Sequence, residues 1–135
     1  MTKIPEDRRE VIESDPFCEQ LGVEVADLGG GTARTELTVT EDLLNFHGTP
    51  HGGAIYSLAD AAFAAASNAE GDTALALETN ISYFEAVEVG ETLTAAAERV
   101  HQRGRTASYR VTVTDEADHE IADFRGRVYL PGGRD

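Results

Sequence analysis

"NFHGTPHGGAIYSLADAAFAAASNAEG", residues 45–71, decides how this chain folds. From Ala54 to Ala69 it is mostly Ala, Ile, Leu and Phe, which predicts a helix that is apolar nearly all round and therefore buried. Alanines at 59, 61, 62, 64, 65 and 66 let a sheet or a second helix approach closely. Asn68 and Gly71 supply stop signals. At the other end, Gly52 and Gly53 leave the first backbone N–H groups unobstructed. Such groups have no partner inside a helix and carry the positive end of its dipole. They can stabilise a developing oxyanion, and glycine lets an acyl group lie against the backbone. The pair equally fits a plain turn before a helix.

Asp60 is the anomaly in this helix. A buried carboxylate costs several kcal/mol, of order ~3–5, unless it is paired or solvated by a cleft. Its neighbours one turn away, Tyr56, Ser57, Phe63 and Ala64, include no cation. Two readings follow. Asp60 is a catalytic carboxylate made more basic by partial desolvation, or it makes a structural contact to a distant Arg or backbone amide. Geometry constrains the first reading. Gly52 and Asp60 are separated by about 12 Å along one helix at about 1.5 Å per residue, too far for one carbonyl carbon to meet both. Gly52 of one chain and Asp60 of a second, across a two-fold axis, can meet. If both are catalytic, the protein is at least a homodimer with shared sites.

Outward from the helix, "IPEDRREVIESDPFCEQLG" predicts one or two short helices within residues 4–20, with a break or new start at Ser14-Asp15-Pro16. "LGVEVADLGGG" and "TARTELTVT" alternate with period two and form a hairpin around Gly29–Gly31. A phosphate loop there would need the Lys-Ser/Thr ending that is missing. After the helix, "TALALETNISYFEAV", "ETLTAAAERVHQRG", "RTASYRVTVTDEADH" and "EIADFRGRVYL" predict four further strands, with turns at Gly90-Glu91, Arg103-Gly104 and Asp115–Asp118. About six strands joined by hairpins, forming one antiparallel sheet wrapped around one long helix, make an α+β hotdog fold in one domain, residues 1–135.

The 135 residues suit one modest core, and 41% hydrophobic with 27% charged residues excludes a disordered chain. Formal net charge is −14, and Lys3 is the only lysine. That excess of acid argues against nucleic-acid and anionic-membrane partners and fits a halophilic, salt-rich cytoplasm. The charged N-terminus is no signal peptide, and no stretch reaches the length of a membrane span, so a cytoplasmic location is expected. Cys18 has no second thiol to pair with and reads as a small, half-buried apolar residue.

The quoted stretch, with its Asn, Gly, His-Gly-Gly and an Asp eight residues beyond the first paired glycine, resembles the signature of hotdog-fold acyl-CoA thioesterases of the phenylacetic-acid-degradation (PaaI-like) type. The resemblance runs from about Pro16 to Leu130 and includes "GETLTAAAERVHQRGRTASYRVTVTD" and "IADFRGRV" as closing strands. It implies that Asp60 is the general base or nucleophile and that Gly52 N–H forms the oxyanion hole. Asn45 would hold the attacking water or the acyl carbonyl, and His51 would sit near the thioester. It also implies a dimer of dimers. Some relatives carry a hydroxyl residue on the strand after the helix; the matching position here is Ala76, which leaves the water's orientation open.

Thioester hydrolysis needs a carboxylate to activate water and a donor for the oxyanion, and no cofactor; coenzyme A is part of the substrate. His47 and His51 could bind metal only on a helix, and Gly48 and Pro50 argue against one, so no metal is expected. No Gly-x-Ser-x-Gly elbow occurs. Gly53 is a candidate contact for the acyl group. Arg103 and Arg105, with Arg99 and Arg110, are either a solvated hairpin tip or a contact to coenzyme A phosphates. Tyr83 and Phe84 read as core or interface, and His101 and His119 as surface residues. The expected activity is hydrolysis of aryl-acetyl-CoA or similar thioesters. A hotdog hydratase or dehydratase would want an Asp-His pair near the helix start, and a non-catalytic acyl-CoA-binding module would lack the base.

Overall fold

Residues 4–134 are described by a computed structural model; residues 1–3, Lys3 among them, and residue 135 lie outside the described residues. Two short helices, α1 (Glu6–Glu13) and α2 (Pro16–Leu21), lead into strands β1 (Glu24–Gly29) and β2 (Thr32–Thr38). A 3-10 turn at Glu41–Leu43 precedes the long helix α3 (Gly52–Asn68), followed by β3 (Leu75–Tyr83), β4 (Thr92–Thr114) and β5 (Glu120–Arg134). Asp15 starts α2 by accepting the Cys18 N–H at 3.1 Å, with Pro16 at the first helical position. Gly22, left-handed at φ 88°, ends it.

The five strands form one antiparallel sheet in the order β1-β2-β4-β5-β3, so the expected hotdog architecture is present with five strands instead of about six. The difference lies at Arg103-Gly104, read as a turn from sequence. Gly104 has a positive φ of 61°, but the chain does not reverse there. The register against β5 shifts between Gly104 and Thr106, a bulge that bends one continuous 23-residue strand. The first part of β4 pairs with β2 and the second part with β5. Nor do hairpins join every neighbour: β3 crosses to the far edge and pairs with β5. The β1–β2 and β4–β5 hairpins form as the sequence predicts; the latter is closed by Asp115 N–H to His119 O at 3.1 Å.

Helix α3 packs across one face of the sheet, chiefly on β4 and β2. Leu58, Ala59, Ala62 and Ala66 are fully enclosed and Phe63 is 1% exposed. Each large apolar side chain buried this way contributes about 1.5–3 kcal/mol. Thr35 on β2 donates its hydroxyl to Leu58 O at 2.9 Å, which ties sheet to helix inside the core. The opposite stripe of α3 is not covered: Gly53 and Ala64 are exposed, and Ser57, Asp60, Ala61 and Asn68 are half-buried. Among the described residues no helix is long and apolar enough to cross a membrane.

The Phe63 ring depends on an absent side chain. It packs between Tyr109 and Phe124, with ring centroids 5.7 Å and 5.6 Å away. A Cβ on Gly126 would stand 2.6 Å from its edge. The ring is buried and held between these two neighbours, so Gly126→Ala should act as an overpacked core, costing about 1–3 kcal/mol. Scanning calorimetry should show the midpoint lowered by roughly 3–15 °C; an unchanged midpoint would mean that the sheet relaxes freely there.

Candidate active site

The loop before α3 is built by Asn45. Its Oδ1 accepts from His47 N–H (2.9 Å), Thr49 N–H (3.2 Å) and the Thr49 hydroxyl (3.1 Å). These donors fix the amide orientation, leaving Nδ2–H free to donate outward. Asn45 N–H to Thr49 O (2.8 Å) and His51 N–H to Leu43 O (2.8 Å) close the loop at both ends.

His51 caps α3. Its Nδ1 accepts the Gly53 N–H at 2.9 Å, so the ring proton resides on Nε2 and points away from the helix. With Gly53 occupied, the Gly52 N–H has no acceptor among the described residues. The first turn of α3 contains no acidic residue, so the positive end of the dipole is uncompensated. Tyr83, at the end of β3, donates its hydroxyl to Gly52 O at 2.8 Å and fixes the peptide plane just inside the helix. Tyr83, which the sequence alone reads as core or interface, is about half exposed and not in the core; this contact spans 31 residues and depends on the β3 register, for which the local pattern holds no signal.

Asp60 lies on the uncovered stripe, half-buried, with no hydrogen bond or ion pair among the described residues. The structural-contact reading of this carboxylate therefore finds no partner. Burial pushes its carboxyl above the ordinary value, and the Asp15 carboxylate adds to the shift. Cys18, beside Asp15, is a poor nucleophile: burial first, then Asp15, pushes its thiol up to about 11.

Asn45, His51, Gly52 and Gly53 thus gather at the start of α3, while Asp60 stands about 12 Å along the same unbroken helix. One chain does not bring them together. The helix start is flanked by two hollows. One, of about 430 Å³, is lined by Gly52, Ile55, Tyr83 and Phe84; the other, of about 250 Å³, by His51, Gly53 and Ser57. Arg103 and Arg105 line neither. Because β4 continues through this region without reversing there is no hairpin tip, and Arg105 bonds to the Pro131 carbonyl and, at 3.4 Å, to the Tyr129 hydroxyl. Arg99 pairs with Glu70 at 2.6 Å and Arg110 with Asp123 at 2.9 Å. His101 is exposed, as is His119, which meets Asp115 at 3.0 Å.

Residues 47–122 match the model of the thioesterase superfamily. The acyl-coenzyme A thioesterase PaaI of Escherichia coli is 36% identical over 121 residues, covering 90% of this chain and 86% of PaaI. Its solved structure aligns with a TM-score of 0.87 at 35% identity, covering 93% of this chain and 91% of that one. A mutant structure of the phenylacetic acid degradation protein PaaI from Thermus thermophilus aligns at 0.82 with 44% identity, covering 86% of this chain and 99% of that one. A Streptococcus mutans protein solved with acetyl-CoA bound aligns at 0.77 with 27% identity, covering 84% and 91%.

Proposed function

The chain belongs to the thioesterase superfamily, and from that premise we propose a residue-level account of its chemistry at a site shared between two copies. It is a PaaI-like acyl-CoA thioesterase, releasing a free acid and coenzyme A. Asp60 of one copy takes a proton from water as the water oxygen attacks the thioester carbonyl carbon. The carbonyl oxygen becomes an oxyanion held by the Gly52 N–H of the other copy. Collapse of this intermediate breaks the carbon–sulfur bond, and the proton passes from Asp60 to the leaving thiolate. Asn45 Nδ2 and His51 Nε2 donate to the substrate or the water, and Gly53 offers bare backbone to the acyl group.

The single observation that carries this reading is Asp60: a half-buried carboxylate of raised basicity, with no partner among the described residues, on the uncovered stripe of α3. A two-fold pair is supported by β3. It is one of the sheet's two edge strands, the other being β1, and its Leu75 and Leu77 are about half exposed, at 53% and 50%. Pairing of β3 edges would bury both and bring the two α3 stripes alongside each other; a dimer of such dimers completes the assembly. Aryl-acetyl thioesters are the expected substrates. The same reading treats residues 1–135 as one domain working in a salt-rich cytoplasm, consistent with a net charge of −14. Arg103 and Arg105 remain contacts for coenzyme A phosphates only through charge.

The test is thiol release across a panel of acyl-CoA esters, phenylacetyl-CoA included, in dilute buffer and in molar potassium chloride. Turnover of at least some esters, with activity and thermal midpoint both higher in salt, is the expected outcome. No thiol release from any ester overturns the hydrolase account; a salt-independent midpoint overturns the halophilic part alone.

A further inference from the structure

The glycine pair that opens α3 is bare for a reason beyond access. The single peptide group between Gly52 and Gly53 is gripped at both ends by side chains. At its oxygen, Gly52 O accepts the Tyr83 hydroxyl at 2.8 Å. At its nitrogen, Gly53 N–H donates to His51 Nδ1 at 2.9 Å. Resting on the hydrolase account above, we propose that Tyr83 is a positioning residue for His51, acting through this one peptide to hold the imidazole as the Nε2–H tautomer that donates to substrate.

Three observations carry this. The first is the direction of the bonds. Both donors point the same way along the chain of contacts, from phenol to carbonyl and from amide to imidazole nitrogen. An amide that accepts at its oxygen becomes a stronger donor at its nitrogen, and hydrogen bonds in such a series strengthen one another. A stronger Gly53 N–H favours a lone pair on Nδ1, and the ring proton is then held on Nε2. The second is space. A Cβ on Gly52 would stand 3.3 Å from the Tyr83 hydroxyl, and one on Gly53 would stand 3.0 Å from His51 Nδ1. Each glycine therefore lets its own partner approach the peptide. The third is the frame. The Tyr56 hydroxyl shares a hydrogen bond with Thr79 Oγ1 at 2.5 Å, a second tie between α3 and β3. Gly52 and Tyr56 lie one turn apart on the helix, and Thr79 and Tyr83 share a face of the strand, so β3 grips the first turn at two points. Burial first, and Tyr56 second, push the Tyr83 phenol above its ordinary value, so it keeps its proton as a donor across the neutral range.

The experiment combines NMR of the imidazole nitrogens with a double-mutant cycle on Tyr83→Phe and His51→Ala. Phenylalanine keeps the ring and removes only the donor. Long-range proton–nitrogen correlation spectra identify the His51 signal by its loss in His51→Ala. That signal should report protonation on Nε2 alone in wild type and a mixture of Nε2–H and Nδ1–H forms in Tyr83→Phe. With the acyl-CoA ester that wild type turns over fastest, Tyr83→Phe should lower kcat about three- to tenfold, the scale of one neutral hydrogen bond. Its KM should stay within about twofold, because the loss falls on the transition state. In the His51→Ala background the same substitution should change kcat by less than about twofold, since the residue it acts through is gone. Equal losses of kcat in both backgrounds would mean that Tyr83 only braces the helix start, and would overturn the proposal. An unchanged His51 tautomer in Tyr83→Phe overturns it too, and either result leaves the hydrolase account standing. No thiol release by wild type from any ester, with the tautomer still shifted by Tyr83→Phe, overturns the hydrolase account and leaves the control of His51 by Tyr83 in place.

Discussion

Asp60→Asn will keep its fold and lose about 10²–10⁴ of its thioesterase rate, the usual contribution of a general base. Asparagine has the same shape but accepts no proton at neutral pH. Thiol-release kinetics under saturating substrate measure this directly, and turnover within threefold of wild type would refute the assignment. Burial and Asp15 raise the native carboxyl above its unfolded value, so the folded state holds the proton more tightly. The sign of the linkage follows: stability falls as pH rises through the interval between the unfolded and folded values, and the charged side chain is unfavourable above it. Asp60→Asn removes that charge, so its thermal midpoint at neutral pH should equal or exceed that of wild type. The acid limb of wild-type kcat/KM should likewise lie above the range of an ordinary aspartate.

The second large effect is recovery from two inactive proteins. Asp60→Ala has no base. Gly52→Val fails for a different reason: a Cβ at this position would stand 3.3 Å from the Tyr83 hydroxyl, and the branches beyond it would displace that contact and cover the free N–H. In a mixed dimer, one site combines Gly52 of the first variant with Asp60 of the second and is intact. The other carries both defects. Random exchange of equal amounts should therefore restore about one quarter of wild-type activity, as two-fold symmetry requires. Native mass spectrometry can verify exchange. If mixed dimers are present and activity stays at background, base and oxyanion donor act from the same chain, and the separation along α3 no longer constrains the mechanism.

Much of this was legible in the sequence because it depends on local spacing. The alanine run, the glycine pair and Asp60 fix a helix, its start and a charge on one face without reference to any other element. The strand alternation of residues 24–38 likewise needs only its own turn. What escaped depends on distant partners. Gly104 looks like a turn until both halves of β4 find neighbours, β2 on one side and β5 on the other, and the glycine then only bends the strand. The hydrogen bond from Tyr83 to Gly52 requires β3 to cross to the far edge of the sheet. Sequence proximity alone groups Arg105 with a basic tip, whereas its partners, Tyr129 and Pro131, lie on β5.

Under the proposed shared site, the unbroken run of α3 from Gly52 to Asn68 would also set how output scales with the amount of protein. A rigid rod that holds the base at one station and the oxyanion donor at another makes each isolated chain inert in the shared-site mechanism. At dilutions where dimers dissociate, the rate then rises with the square of protein concentration, and it becomes linear only once association is complete. A cell that halves its expression of this chain near that threshold would lose more than half of its flux.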